Sequence, residues 1–135
     1  MLKVIITEDD LMIADLLKDV IAEADYDVCG IARTVPEAVD LVERHRPDLA
    51  VVDMRLADGG MGTDLIARLD KEARPGVLYT TGIADENTLT AANGEGCLRK
   101  PFRPDDLLRA LKIIEQIVTS GFATPPFPAG FKVLR

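Results

Sequence analysis

Short runs of aliphatic residues alternate along the chain with segments whose apolar residues recur at helical spacing. The runs are rich in β-branched residues, and several lack polar alternation, as is typical of strands that are covered on both faces. They predict five strands, at Leu2–Thr7, Val28–Ala32, Leu49–Asp53, Val77–Thr81 and Gly96–Arg99. Strands that alternate with helices favour right-handed βαβ crossovers and a parallel sheet, so the pattern predicts an α/β domain.

The segments between the strands predict helices with recognisable beginnings. Leu11–Ala24 carries a single apolar stripe along its helical surface. The sequence Thr34-Val35-Pro36-Glu37 has the form of a capping box with proline in the first turn, and it begins a helix that reaches about His45. Two further helices are expected, over about residues 62–72 and from Pro104 onward.

Chemically versatile side chains follow four of the five predicted strands. Strand one ends in Glu8-Asp9-Asp10, and the mutual repulsion of three acids calls for a cation such as Mg²⁺, which prefers oxygen ligands. Asp10 by itself is also explained as the N-cap of the next helix. Because the carboxyl ends of parallel strands lie at one edge of a sheet, we expect the polar groups that follow the other strands to meet the acids there. Those groups are Asp53, Thr81 and Lys100.

Composition and charge narrow the classes of function. The 135 residues suffice for one domain, and a hydrophobic content of 47% supports a core without disulfides. The formal net charge of −7 argues against direct binding of nucleic acid. Cys29 and Cys97 form no CxxC pair and the chain has one histidine, so we expect reduced thiols and no structural zinc site. No apolar run has the length of a membrane span.

The order acid, acid, hydroxyl, lysine, with Glu8-Asp9-Asp10 and Lys100-Pro101 as its motifs, resembles the receiver domain of bacterial two-component response regulators. The resemblance covers about residues 2–119 and includes the single-domain, chemotaxis-regulator-like receivers. It implies a flavodoxin-like, doubly wound sheet of five parallel strands in the order 2-1-3-4-5, with helices on both faces. Residues 1–119 then form the receiver domain, and residues 120–135 form a Pro/Phe-rich C-terminal tail.

The resemblance also implies a chemical role for each of these residues. Asp53 is the phosphoacceptor, Thr81 is the hydroxyl that closes onto the phosphoryl group, and Lys100 pairs with that group. A cation and a lysine fit this chemistry, because phosphoryl transfer relies on positioning and on neutralising two anions. Mg²⁺ is the implied cofactor. Its implied ligands are Glu8, Asp9, Asp53 and the backbone carbonyl of Arg55, with Glu8 acting through water.

Two features of the chain depart from this family pattern. Receivers usually carry Tyr or Phe three residues before the lysine, where it reports phosphorylation, but here Cys97 occupies that switch position. The segment 85–95 has Leu89 as its single large apolar residue, so we expect a fourth helix that is short or irregular.

We predict that residues 83–94 are mobile and become ordered on phosphorylation or on partner binding. The physical reason is the shortage of apolar side chains that would hold this segment on the domain. Hydrogen exchange of these amides should therefore be fast and should slow when a beryllofluoride mimic is added. Slow exchange that the mimic leaves unchanged would contradict the prediction.

The implied partners are a histidine kinase or histidine phosphotransfer protein and a downstream protein target, for a cytoplasmic protein that neither inserts into membranes nor binds nucleic acid directly. No enzyme activity is expected beyond autocatalytic phosphoryl acceptance and autodephosphorylation. Aspartyl phosphatases commonly have a second acid two residues after the nucleophile, where this chain has Arg55. A degenerate receiver that acts as an unphosphorylated interaction module, and the receiver portion of a longer regulator, are the open alternatives.

The tail contains three of the four phenylalanines, Phe122, Phe127 and Phe131, among four prolines. Its composition fits a flexible linker. Three phenylalanines equally favour packing on the domain or on a second subunit, so a homodimer remains an open alternative.

Overall fold

The computed structural model describes residues 1–135 and contains one six-stranded sheet in the order β2-β1-β3-β4-β5-β6. The strands are β1 (Lys3–Thr7), β2 (Asp27–Ala32), β3 (Leu49–Asp53), β4 (Gly76–Thr81), β5 (Gly96–Arg99) and β6 (Phe131–Val133). The first five strands are parallel to one another, and β6 is antiparallel to β5. The flavodoxin-like α/β fold and the order 2-1-3-4-5 are therefore confirmed for the parallel part of the sheet.

The helices lie where the apolar stripes predict them. They are α1 (Leu11–Glu23), α2 (Val35–His45), α3 (Gly62–Arg68), α4 (Ile83–Glu86) and α5 (Pro104–Ser120), with a 3₁₀ turn at Lys71–Ala73 after α3. The Asp10 carboxylate accepts from the backbone N–H groups of Met12 and Ile13 at 3.0 and 3.3 Å, and the Thr34 hydroxyl accepts from that of Glu37 at 3.3 Å. These side chains satisfy N–H groups that a helix leaves without partners.

The third and fourth helices are the two shortest α-helices of the domain. The third helix ends at Arg68 rather than near residue 72, because Leu69 adopts an extended backbone with φ −94° and ψ 142°. The expected short fourth helix is observed as the four residues of α4.

Helices cover both faces of the sheet and divide the core in two. One cluster of 15 buried residues packs around α2 and α3, and another of 14 packs around α1 and α5. Successive residues of β1 serve opposite clusters, since Ile5 belongs to the first and Ile6 to the second. No helix combines the length and the apolar character that crossing a bilayer requires.

The tail adds a sixth strand, so the prediction of a five-stranded sheet is wrong in the number of strands. The peptide N–H of Arg99 donates to the carbonyl of Gly130 at 3.0 Å, and that of Leu134 donates to the carbonyl of Glu95 at 3.0 Å. The tail therefore packs on the domain, which is one of the alternatives that its composition leaves open. Composition separates residues 120–135 from the rest, yet β6 belongs to the same sheet as β1–β5.

Candidate functional site

Three carboxylates meet at the carboxyl edge of the sheet, because β1 and β3 are parallel neighbours. Glu8 and Asp9 follow β1, Asp53 is the last residue of β3, and one carboxylate oxygen from each lies within 4.8 Å of the others. Glu8 is only 2% exposed and Asp53 8%, whereas Asp9 is half-buried. Asp10, the fourth acid of this region, faces α1 as its N-cap. The structure thus places Glu8, Asp9 and Asp53 together at this edge.

Lys100 supplies the cation at the same edge. It follows β5, and its Nζ lies 3.0 Å from Oδ1 of Asp53. The peptide N–H of Lys100 donates to the carbonyl of Thr81 at 2.8 Å, which fixes the end of β5 against the end of β4. A lysine that binds one of three clustered carboxylates offsets only part of their charge.

Thr81 is buried at the end of β4, with 1% of its surface exposed, and its hydroxyl has no hydrogen-bond partner. A buried hydroxyl without a partner is rare in folded proteins, because burial removes its hydrogen bonds to water. The hydroxyl of Thr7, at the end of β1, has no partner either, and both oxygens are covered. A ligand at this edge therefore reaches the Thr81 hydroxyl only if that side chain or its cover moves.

The loop after β3 leaves the carbonyl of Arg55 available. Two backbone hydrogen bonds close this loop, from the N–H of Gly62 to the carbonyl of Met54 at 2.7 Å and from the N–H of Leu56 to the carbonyl of Gly60 at 2.9 Å. They lie on either side of Arg55, whose carbonyl accepts from no backbone N–H. This oxygen is thus free to act as the predicted metal ligand.

Burial and the other two carboxylates of the acid cluster, which consists of Glu8, Asp9 and Asp53, together change the protonation of Glu8. Burial, with added contributions from the Asp53 and Asp9 carboxylates, raises the pKa of Glu8 to about 8 from an ordinary value of 4.5. A divalent cation would reverse this effect by favouring the carboxylate form. The donor set of three carboxylates and a carbonyl consists of oxygens alone, as Mg²⁺ prefers. The residues present therefore fit Mg²⁺.

Two ion pairs beside this site join α4 to its neighbours, and no sequence pattern predicts either of them. The guanidinium of Arg55 lies 3.1 Å from Asp85, and that of Arg99 lies 2.8 Å from Glu86. The Arg99 guanidinium holds the pKa of Glu86 below its ordinary value. Segments that are distant in sequence supply these partners, which is why composition does not predict them.

Cys97 does not reach the carboxyl edge of the sheet. It is buried in the core with Leu89 and Leu134, and burial raises the pKa of its thiol. Both cysteines are unpaired, as expected. The switch role of position 97 stays a prediction.

An exposed apolar face of α1 borders the acid cluster. Leu16 is 66% exposed, and large apolar side chains on the same part of the helix are exposed with it. These neighbours are Leu11, Met12 and Ile13. Between α1 and α5 lies a groove of about 360 Å³, lined by apolar residues of both helices and by Glu8 and Lys100. Contiguous exposed apolar surface of this kind is typical of a protein-binding site.

A parallel sheet that collects two acidic strand ends, a threonine and a lysine at one edge is the arrangement of a receiver domain. A model of the response regulator receiver domain family matches residues 4–112. The chain belongs to this family.

Two curated relatives illustrate the similarity. The DNA-binding transcriptional activator DevR/DosR of Mycobacterium tuberculosis is 36% identical over 118 residues, which are 83% of this chain and 54% of the relative. The phyllosphere-induced regulator PhyR of Methylorubrum extorquens is 35% identical over 105 residues, which are 76% of this chain and 39% of the relative. The chain thus spans about half the length, or less, of these relatives.

Solved structures give the same fold. The receiver domain of a modulated diguanylate cyclase from Desulfovibrio desulfuricans is similar with a TM-score of 0.74 and 28% identity, and the match covers 88% of this chain and 98% of that one. The anti-anti-sigma factor PhyR from Bartonella quintana is similar with a TM-score of 0.71 and 28% identity over 89% of this chain and 49% of that one.

Proposed function

We propose that Asp53 accepts a phosphoryl group from a histidine kinase or a histidine phosphotransfer protein, and that the phosphorylated chain signals through contact with a downstream protein. The observation that carries the proposal is the meeting of Glu8, Asp9 and Asp53 within 4.8 Å of one another. Lys100 at 3.0 Å from Asp53 supports it. Membership of the receiver family supports phosphoryl transfer as the class of reaction.

Each residue has a defined part in this reaction. The Asp53 carboxylate attacks phosphorus, and a bond from Oδ to phosphorus forms as the bond to the donor nitrogen breaks. Lys100 then pairs with the phosphoryl oxygens, and the unpartnered Thr81 hydroxyl donates to one of them. Glu8, Asp9, Asp53 and the Arg55 carbonyl would hold Mg²⁺, and the ion would supply positive charge that offsets the negative charges of the nucleophile and the incoming phosphoryl group.

Phosphoryl acceptance is tested by incubating the full chain with acetyl phosphate and Mg²⁺ and then measuring its intact mass. We expect the mass of one added phosphoryl group, which is absent in EDTA and absent in Asp53→Asn. Asp58→Asn is the matched control, because Asp58 is an exposed acid of the same loop. A modification that persists in Asp53→Asn would contradict the proposal.

We further propose that the apolar face of α1 docks the phosphodonor. A donor histidine must reach Asp53 closely, so the surface that borders the acid cluster lies under the donor. Apolar side chains at the centre of such an interface dominate its affinity.

Leu16→Asp should therefore slow phosphoryl transfer from a phosphorylated histidine phosphotransfer domain by at least about tenfold. Transfer from acetyl phosphate, which needs no protein surface, should be unchanged. Val118→Asp is the matched control, since Val118 is an exposed apolar residue near the far end of α5. Equal slowing by both substitutions, or slowing with acetyl phosphate as well, would argue against docking on α1.

We also propose that the chain works in the cytoplasm and has no catalytic turnover beyond its own phosphorylation and dephosphorylation. Arg55, in the place of the second acid of aspartyl phosphatases, supports the latter. A receiver within a longer regulator is the second candidate. It is favoured by the coverage of the relatives, of which the chain spans about half or less.

A further inference from the structure

The C-terminal strand β6 is anchored on β5 by one side chain on each face of the sheet. On the α5 side, the ring of Phe131 lies over Gly96, where a Cβ would be 2.9 Å from two ring atoms. On the opposite face, Leu134 is 5% exposed and lies in the core cluster that contains Leu89 and Cys97. The absence of a side chain at Gly96 thus provides the seat for an aromatic ring.

The rest of this tail buries few side chains, and its contacts include a ring pair between Phe127 and Phe131 with centroids 5.5 Å apart. The strand has three residues, of which Lys132 is exposed and the other two are half-buried. In the connection over residues 121–130, Pro128 is the single buried residue. All six residues of β4, in contrast, are buried. Segments with few buried apolar contacts open at a lower free-energy cost than the core, so we expect β6 to open before the parallel strands do.

Opening of β6 would uncover a strand that is ready to pair. The three residues of β5 that pair with β6 are buried. Their pairings are Gly96 with Val133, Cys97 with Lys132 and Leu98 with Phe131. Without β6, the backbone N–H and C=O groups of β5 would form an unpaired edge. Such an edge binds an extended segment by main-chain hydrogen bonds, and pockets for its side chains give specificity.

The resident strand shows the chemistry that this edge accepts. An aromatic side chain fills the Gly96 seat, and a branched aliphatic side chain three residues later enters the core at Leu89. Between them, Lys132 pairs in register with Cys97 and lies close enough to Glu86 to add to the lowering of its pKa, after the larger effect of Arg99. A basic residue next to the aromatic one is therefore favourable.

We propose that β6 is the resident occupant of a strand-binding edge, and that an extended segment of a partner protein replaces it there. The segment carries an aromatic residue, a basic residue directly after it, and a branched aliphatic residue three positions after the aromatic one. This interaction surface is distinct from the apolar face of α1 and does not depend on chemistry at Asp53.

The probe for this edge is a fluorescently labelled peptide with the sequence of residues 128–135, PAGFKVLR. Fluorescence anisotropy should detect weak binding to the unmodified full chain, because the tethered strand competes at a millimolar effective concentration. Full-length Leu134→Ala, whose resident strand has lost its aliphatic anchor, should bind the peptide at least about tenfold more tightly. A peptide with aspartate in place of both anchors should bind neither protein.

Gly96→Val in the Leu134→Ala background should abolish binding, because the new side chain fills the aromatic seat. If the peptide does not bind Leu134→Ala, or if Gly96→Val leaves its affinity unchanged, the proposal is overturned. Hydrogen exchange in the unmodified chain tests it without any substitution. The Arg99 amide, which donates to Gly130, should exchange at least about tenfold faster than the β4 amides. Equal rates would overturn the proposal as well.

Discussion

Gly62→Ala should destabilise the domain by about 3 kcal/mol, because it forces atoms into a site that has no space. A Cβ at residue 62 would lie 2.3 Å from the carbonyl oxygen of Asp53 and 2.7 Å from Cγ1 of Val52. The first of these contacts is with backbone, which moves only if the end of β3 moves with it. The substitution should therefore also displace Asp53 and slow its phosphorylation by acetyl phosphate.

The free energy of unfolding of this variant is measured by urea denaturation monitored by circular dichroism. Gly82→Ala is the matched control, since a Cβ there meets no atom within 4 Å and the backbone φ is −86°. We expect its stability to lie within about 0.5 kcal/mol of the unmodified chain. A Gly62→Ala protein as stable as Gly82→Ala would contradict the prediction, because the backbone around residue 62 would then accommodate a Cβ with no loss of stability.

Raising the pH should destabilise the metal-free protein, and Mg²⁺ should remove part of that loss. Glu8 has an ordinary pKa of 4.5 when the chain is unfolded and a pKa of about 8 when folded. Between these values the unfolded chain has released a proton that the folded chain retains, so stability falls as pH rises. The stabilisation from the protonated carboxyl is complete below about pH 4.5 and is lost as pH rises through about 8.

Mg²⁺ binds the carboxylate form, so it should stabilise the protein more at pH 8 than at pH 5, roughly the two ends of this range. The measurement is the thermal midpoint at several pH values in EDTA and in excess Mg²⁺. Burial also raises the pKa of Glu95. Part of the fall in stability with pH therefore comes from Glu95, and Mg²⁺ does not remove that part. Glu8→Gln should flatten the slope, whereas Asp15→Asn, an exposed acid of α1, should not. A Mg²⁺ effect that is equal at both ends of the range would refute this prediction.

The parallel core of the fold was predictable because its signals are local. β3 and β5 have the bounds that their apolar runs predict, at Leu49–Asp53 and Gly96–Arg99. The two caps, Asp10 and Thr34, begin their helices as expected. The site followed from topology, since residues after parallel strands meet at one edge without any knowledge of their contacts.

The remaining features depend on contacts between distant segments. β6 is a three-residue run whose apolar–polar–apolar alternation is too short to predict a strand, and it follows a proline-rich stretch. Its place on β5 depends on the seat that Gly96 provides. The pair of Arg55 and Asp85 joins residues 30 positions apart, and neither residue is distinctive in its own segment. Side-chain pairing of this kind is decided by the assembled fold.

The position of β6 after all the other elements of the domain has a consequence for its partly folded states. Residues 131–134 follow the five parallel strands and α5 in the chain, so β5 is an open edge in any state that has formed the parallel core without β6. In such a state β5 is exposed to pairing with neighbouring chains, and its apolar residues favour such pairing. Arrival of β6 ends this exposure, which makes the last strand a protection against aggregation as well as a part of the sheet.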